Sequence, residues 1–118
     1  MRQHFLFDDI VFEQGIAHDG KLPIQFKRVA EKNPDNAFHF LDYVIVPPKA
    51  DIGIHTHAKD NQEIYIIIEG KAEMTVEGKT IQVCKGHTIV NQIGGTHSLV
   101  NTGMEDLKLI VIEIPASI

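Results

Sequence analysis

From Phe38 almost to the C-terminus, the chain is a succession of short apolar and β-branched segments separated by turns, most of which contain glycine. Segments this short, with turns between them, are typical of the strands of all-β sandwiches and barrels. A helical period competes only weakly, near residues 29–32. We therefore predict an all-β protein with almost no helix. The predicted strands are Phe38–Val46, Ile64–Ile68, Ala72–Val76, Thr80–Val83, Thr88–Asn91, His97–Val100 and Leu107–Ile114.

The N-terminal third of the chain carries a weaker pattern. Gly15, residues 18–20 and Pro23 predict turns, and residues 33–36 predict another. Between these turns, Gln25–Val29 alternates as a strand would. A chain of 118 residues is expected to form one domain. We predict a single domain over residues 1–118, in which residues 1–37 supply N-terminal strands or an extension and residues 38–114 form the main barrel.

Histidine and glutamate are spaced in a way that predicts a metal site. His55 and His57 stand two residues apart, so on a strand both imidazoles point to one face. Glu63 precedes the apolar run Ile64–Ile68, and a carboxylate that faces an apolar interior needs a partner such as a cation. His97 follows farther along, beside two glycines. The predicted metal ligands are therefore His55, His57, Glu63 and His97.

The same residues resemble the two sequence motifs of the cupin family. The resemblance covers about residues 38 to 114, and the chain departs from the family pattern in four respects. The matching positions are His55, His57, Glu63 and Gly70 in the first motif, and Gly86, Gly94, His97 and Asn101 in the second. Lys49 stands at the usual first-motif glycine, His87 at a common aspartate and Gln92 at the usual proline, and the loop between His57 and Glu63 is one residue longer than usual.

The cupin resemblance implies a jelly-roll β-barrel with a divalent transition metal inside it. Three imidazoles and one carboxylate suit Mn, Fe, Co, Ni, Cu and Zn alike, so the pattern does not select the metal. These ligands fill four positions, and an ion that prefers six keeps two for water, O₂ or a chelating ligand. We therefore expect a small, oxygen-rich ligand that binds the metal through two oxygens.

The resemblance leaves several functions open, because one fold hosts many reactions. An enzyme of this type carries out dioxygenase-like chemistry on a small organic acid, enediol or phenol, or an isomerase- or epimerase-type reaction on a sugar or carbonyl compound. We favour the dioxygenase-like reading slightly, since this ligand set recurs in cupin dioxygenases. The alternatives are a cupin that binds a sugar or other small ligand without turnover, and a barrel that uses a four-coordinate metal for stability.

Other polar residues receive separate predictions. The candidates for a catalytic role are Tyr65, which period two places on the face of Glu63, and Gln92, whose amide is expected near the pocket. A core tyrosine with its hydroxyl at the barrel rim is an equally good reading of Tyr65. Asn101 is expected to hold a turn through backbone hydrogen bonds. Surface or turn positions are predicted for His4, His18 and His39, and a small buried position for Cys84.

Charge and composition limit the partners. The net charge is −5 and no basic cluster is present, which argues against nucleic acid and anionic membranes. No apolar stretch is long enough to span a membrane, and the N-terminus lacks the apolar run of a signal peptide. The single cysteine excludes an internal disulfide and fits a cytoplasmic protein. The apolar segments Phe5–Phe7 and Ile10–Phe12 predict a homodimer.

Overall fold

The computed structural model describes residues 3–56 and 60–116, and this part of the chain is almost entirely β-structure. Its single helical element is a 3₁₀ turn at Phe7–Asp9. Ten strands follow within the described ranges. They are β1 (Glu13–Gly15), β2 (Ile24–Asn33), β3 (Asn36–Val46), β4 (Asp51–Thr56), β5 (Asn61–Glu69), β6 (Lys71–Val76), β7 (Lys79–Cys84), β8 (Thr88–Asn91), β9 (Thr96–Val100) and β10 (Leu107–Pro115).

The strands form two antiparallel sheets that enclose one core. The six-stranded sheet has the order β1-β2-β3-β10-β5-β8, and the four-stranded sheet has the order β4-β9-β6-β7. Alternate residues of the central strands are buried, as period two requires of a sheet with one face inside. The core takes side chains from both sheets, among them Val44, Ile67 and Leu109 from the first and Met74 and Leu99 from the second. The predicted jelly-roll barrel is confirmed.

The N-terminal third is more ordered than its sequence pattern indicated. β2 pairs with β3 as a long hairpin that closes at Asn33 and Asn36, where a turn was predicted. The weak helical alternative near residues 29–32 is wrong, because these residues continue β2 and pair with β3. Cys84 also differs from its prediction, since it is exposed at the end of β7, whose residues are mostly exposed.

The segment between β1 and β2 docks on β4. Ala17 forms an isolated parallel bridge with Ile52, and its carbonyl accepts a hydrogen bond of 3.1 Å from the Gly53 amide. The contact is so close that a Cβ added at Gly53 would lie 2.0 Å from the carbonyl oxygen of His18. Glycine at position 53 is therefore required by this packing, and the segment between β1 and β2 becomes part of the wall behind β4. No helix in residues 3–56 and 60–116 is long and apolar enough to cross a membrane.

Asn101 holds the turn after β9, as predicted. Its side chain is 1% exposed. The Nδ2 group donates to the carbonyls of Val46 and Glu105, each at 2.8 Å, and Oδ1 accepts from the Gly103 amide at 2.8 Å. One side chain thus ties the end of β3 to the turn that precedes β10.

We expect Asn101→Ala to lower the free energy of unfolding by about 3 kcal/mol, because it removes three hydrogen bonds and leaves buried backbone groups without them. Urea unfolding measures the change. Asn36→Ala serves as the matched control, since it removes one amide hydrogen bond at the β2–β3 turn, to the Glu31 carbonyl at 2.9 Å, and should cost about 1 kcal/mol or less. Equal losses in the two variants would contradict this account of Asn101.

Candidate metal centre

Three of the predicted metal ligands meet inside the barrel. His55 on β4 and His97 on β9 are register partners in the four-stranded sheet, and Glu63 on β5 approaches them from the other sheet. One ligand atom from each of the three lies within 4.8 Å of the others. Glu63 is 6% exposed and His97 is 1% exposed. His57, the fourth predicted ligand, lies outside the described residues.

His55 is held in a defined orientation. Its Nδ1 lies 2.8 Å from the Gly53 carbonyl oxygen, an acceptor, so the proton of the neutral ring resides on Nδ1. This leaves the Nε2 lone pair as the coordinating atom, and Nε2 lies 3.9 Å from Oε1 of Glu63. The ring also stacks on that of His18, with 3.6 Å between centroids and 9° between planes. His18 is exposed, as a turn histidine was expected to be, but its contact with the site was not predicted.

Glu63, His97 and Tyr65 form the inner part of the cluster. Nε2 of His97 lies 3.4 Å from Oε1 of Glu63 and 3.3 Å from the Tyr65 hydroxyl. Tyr65 is 2% exposed and lies two residues after Glu63 on β5, so the predicted shared face is confirmed. Burial raises the pKa of Tyr65 well above its ordinary value, and the charge and hydrogen bonding of Glu63 raise it further. Tyr65 is therefore a neutral phenol that can donate a hydrogen bond.

The spacing of these donors suits a transition metal. Donors about 2.0–2.2 Å from one ion lie about 2.8–3.6 Å apart when they subtend octahedral or tetrahedral angles. The distance of 3.4 Å from Glu63 to His97 already lies in that range, and the distance of 3.9 Å to His55 needs only a small side-chain adjustment to reach it. Two imidazoles and a carboxylate are also the donors that Mn, Fe, Co, Ni, Cu and Zn accept. The residues present thus fit such an ion.

Glu63 also affects the protonation of His55. Burial lowers the pKa of His55, but hydrogen bonding of the imidazole to Glu63 and to the Gly53 carbonyl, together with the charge of Glu63, outweighs it. The net pKa of His55 is raised above its ordinary value. Protons therefore compete with a cation for this imidazole.

A buried amide beside Glu63 was missed by sequence reasoning. Asn91 on β8 pairs directly with Glu63 across the strands, so both side chains lie on the inner face of the sheet. Asn91 is 1% exposed, and neither amide atom has a hydrogen-bond partner among the described residues. A buried polar group without a partner is a common mark of a ligand or water site. An asparagine at an inward position of a predicted strand was the available signal.

The Gln92 amide was predicted near the pocket, but Gln92 is exposed, whereas the neighbouring Asn91 is buried. Gln92 lies in the turn after β8, and its backbone carbonyl accepts a hydrogen bond from the Gly95 amide at 2.9 Å.

His39 was predicted at a surface or turn position, but it is half-buried and its Nδ1 lies 3.0 Å from Oε2 of Glu113.

The comparisons with known proteins agree with this architecture. The family model for the cupin domain (Cupin_2) matches residues 42–113, more than half of the chain. The chain belongs to the cupin family. Among curated proteins, this cupin is 32% identical over 69 residues to the oxalate-binding protein of Thermotoga maritima. It is 34% identical over 71 residues to an uncharacterized protein of Methanocaldococcus jannaschii.

These curated matches cover only part of each protein. They span 58% and 60% of this cupin, and 56% of the length of each relative. Solved structures match over more of the chain. The crystal structure of a predicted oxalate decarboxylase from Thermotoga maritima has a TM-score of 0.87 and 25% identity, and covers 93% of this chain and 96% of that one. The Schizosaccharomyces pombe Cnp3 cupin domain, with a TM-score of 0.80, 20% identity and coverage of 96% and 74%, shows likeness of fold alone.

We expect Mn(II) affinity to weaken as the pH falls through the raised pKa of His55, because the imidazole must be neutral to coordinate. The weakening should therefore begin above 6.5, the ordinary value for this group. The metal-free protein should respond in the opposite sense. A proton on His55 stabilises the fold fully below the unfolded-state pKa, and that contribution is lost as the pH rises through the folded-state pKa.

Calorimetric titration of Mn(II) and thermal unfolding of the chelator-treated protein, both from about pH 8 to about pH 5.5, measure the two dependences. His55→Gln should remove the His55 contribution from the unfolding profile. His87→Ala, at an exposed turn position, should leave both profiles unchanged. An affinity for Mn(II) that stays constant over this range would contradict the assignment.

Proposed function

We propose that this cupin binds one divalent transition metal through His55, His57, Glu63 and His97. The observation that carries the proposal is the meeting of two imidazoles and a carboxylate, with ligand atoms within 4.8 Å, in the buried space between the sheets. His57 is included because the sequence predicts it on the same strand face as His55, two residues earlier.

We further propose that the ligand of the metal is a small organic acid that chelates through two oxygens. The name of the Thermotoga maritima relative, an oxalate-binding protein, supports a ligand of this chemistry. The amide of Asn91 also supports it, since its buried NH₂ group beside Glu63 can donate to the oxygens of a carboxylate. Tyr65 adds a neutral hydroxyl on the same face.

We propose an enzymatic role for the same arrangement. When bound, the metal would supply Lewis-acid polarisation of the ligand oxygens, or a bound water of lowered pKa. Asn91 and Tyr65 would orient the acid and donate hydrogen bonds to charge that develops on its oxygens. We favour dioxygenase-like chemistry slightly over isomerisation or epimerisation. Binding without turnover is the second candidate, because the side chains around the cluster are mostly apolar.

The metal proposal is tested by elemental analysis of protein purified without added metal and then loaded with Mn(II) or Fe(II). We expect about one ion per chain in the wild type, and a loss of most of it in His57→Ala, Glu63→Gln and His97→Ala, because each change removes a donor. His87→Ala changes an exposed histidine instead and should keep the metal. Full metal content in His57→Ala would refute the four-residue assignment.

The ligand proposal is tested by adding oxalate and 2-oxo acids to the loaded protein while following the metal spectrum and O₂ consumption together. Direct chelation should change the spectrum. Asn91→Leu should weaken binding of the acid without reducing metal content, since Asn91 is proposed to contact the acid only. A spectral change without O₂ uptake or product would favour binding without turnover over dioxygenase-like chemistry. An unchanged spectrum with every acid would eliminate the catalytic proposal.

We also propose that the protein is a homodimer that associates through its N-terminal segment. Phe7 stacks on Tyr43 of β3 with 4.8 Å between ring centroids, which fixes the segment against the six-stranded sheet. Leu6 and Val11 remain 59% and 85% exposed. Exposed apolar side chains on an ordered segment are typical of an interface.

Light scattering at micromolar concentration should therefore give the mass of a dimer. A Leu6→Asp, Val11→Asp double variant should shift the mass toward the monomer, because charge opposes burial of the segment. Met104→Asp is the control, since Met104 is 95% exposed in the turn before β10 and is not part of the N-terminal segment. A monomeric wild type would refute the dimer.

A further inference from the structure

A cavity of about 260 Å³ opens beside the cluster of His55, Glu63 and His97, with Glu63 and Tyr65 in its wall. It runs along the inner face of the six-stranded sheet, away from β9, and the segment that contains Ala17 and His18 borders it. A cavity of roughly 150 Å³ is enough to hold benzene. The space beside Glu63 is therefore larger than a two-carbon dicarboxylate such as oxalate needs.

Most of the cavity wall is apolar and partly aromatic. Phe26 and Phe40 lie on neighbouring strands β2 and β3, and both pack against the core cluster. The apolar lining also includes Ile16, Ala17, Ile24, Val44, Ile52 and Val111. A wall of this kind gains free energy from burying a hydrocarbon group and gives no polar partner to a second carboxylate.

Apart from Glu63, Tyr65 and His18, the polar part of the wall is an ion pair whose members already contact each other. Arg28 donates to both carboxylate oxygens of Asp42, at 2.9 and 3.1 Å, and its guanidinium lies 4.0 Å from the centroid of the Phe40 ring. The Asp42 hydrogen bond raises the pKa of Arg28, as do the negative charges of Asp42, Glu31 and Glu113. Asp42 thus neutralises Arg28, so this ion pair brings no net positive charge to the cavity wall for an anionic group.

The sheet also sets the distance between the aromatic wall and the cluster. Glu113 on β10 pairs with Phe40 on one side and with Glu63 on the other. Phe40 and Glu63 are thus two strand spacings apart, about 9.5 Å between backbones. This separation accommodates a molecule with its acid group at the cluster and a ring beside Phe40.

We propose that the natural ligand is a 2-oxo or 2-hydroxy acid with an aromatic or similarly bulky apolar side chain, and not oxalate. The inference rests on the proposed function, because the acid group is taken to chelate the metal held near Glu63. Phe26 and Phe40 become specificity-determining residues. Both precede the segment matched by the cupin family model, residues 42–113. Similarity to other cupins over that segment therefore does not determine which side chains form this part of the cavity wall.

The test compares phenylpyruvate, pyruvate and oxalate by calorimetric titration of the Mn(II)-loaded full chain. Phenylpyruvate should bind at least about tenfold more tightly than pyruvate, because it carries the same chelating group plus an apolar ring. It should also bind more tightly than oxalate. Binding of pyruvate or oxalate as tight as that of phenylpyruvate overturns the inference and leaves the proposed function in place. Failure of all three acids to bind overturns both.

Two variants locate the ring. Ala17→Leu adds volume to the cavity wall and should abolish the margin of phenylpyruvate over pyruvate, whereas Ala37→Leu makes the same change at an exposed position and should preserve it. If Ala17→Leu does not fold, Phe40→Ala provides the second test, since loss of the ring should weaken phenylpyruvate and leave pyruvate unchanged. Metal content of each variant is measured first. A margin that survives in a folded, metal-replete variant of either kind would place the ring elsewhere and overturn the inference.

Discussion

The approach of the Glu63 carboxylate to two imidazoles from the opposite sheet is the interaction on which this structure depends most. Glu63 is 6% exposed, and a carboxylate so buried is costly unless charge and hydrogen bonds compensate it. Nε2 of His97 at 3.4 Å and Nε2 of His55 at 3.9 Å face its Oε1 atom from the four-stranded sheet. The polar cluster thereby joins the two sheets at the point where the proposed metal would neutralise the carboxylate.

The cluster in turn depends on packing contributed from outside the family-matched segment. His55 is oriented by the carbonyl of Gly53, and Gly53 is held against the backbone of Ala17 and His18. The segment between β1 and β2 therefore supports His55, a proposed metal ligand that lies far from it in the sequence. The same segment borders the cavity, so residues that stabilise the site also limit what can enter it.

Local patterns predicted most of the strands and the composition of the cluster. Period two placed Glu63 and Tyr65 on one face, and the spacing of the histidine motif put His55 on a strand, because both rules depend on the geometry of a single strand. The stacking of His18 on His55 and the position of Asn91 opposite Glu63 depend on docking and register between distant segments. No local pattern contains that information. Cys84 was misplaced for a related reason, since burial at a strand end depends on what covers the sheet.

The weak helical prediction for residues 29–32 failed because pairing with the neighbouring strand β3 overrides the local helix propensity. In this segment of β2, Ala30 and Glu31 pair with Leu41 and Phe40, and register shifts interrupt the ladder on either side. The pairing supplies hydrogen bonds that a short helix would have to form alone, and an isolated helix of a few residues is not stable. It also aligns Arg28 with Asp42 and brings β2 against β3 at the cavity wall. β2, whose sequence signal was weak, thus supplies Phe26, one of the two residues proposed to select the ligand.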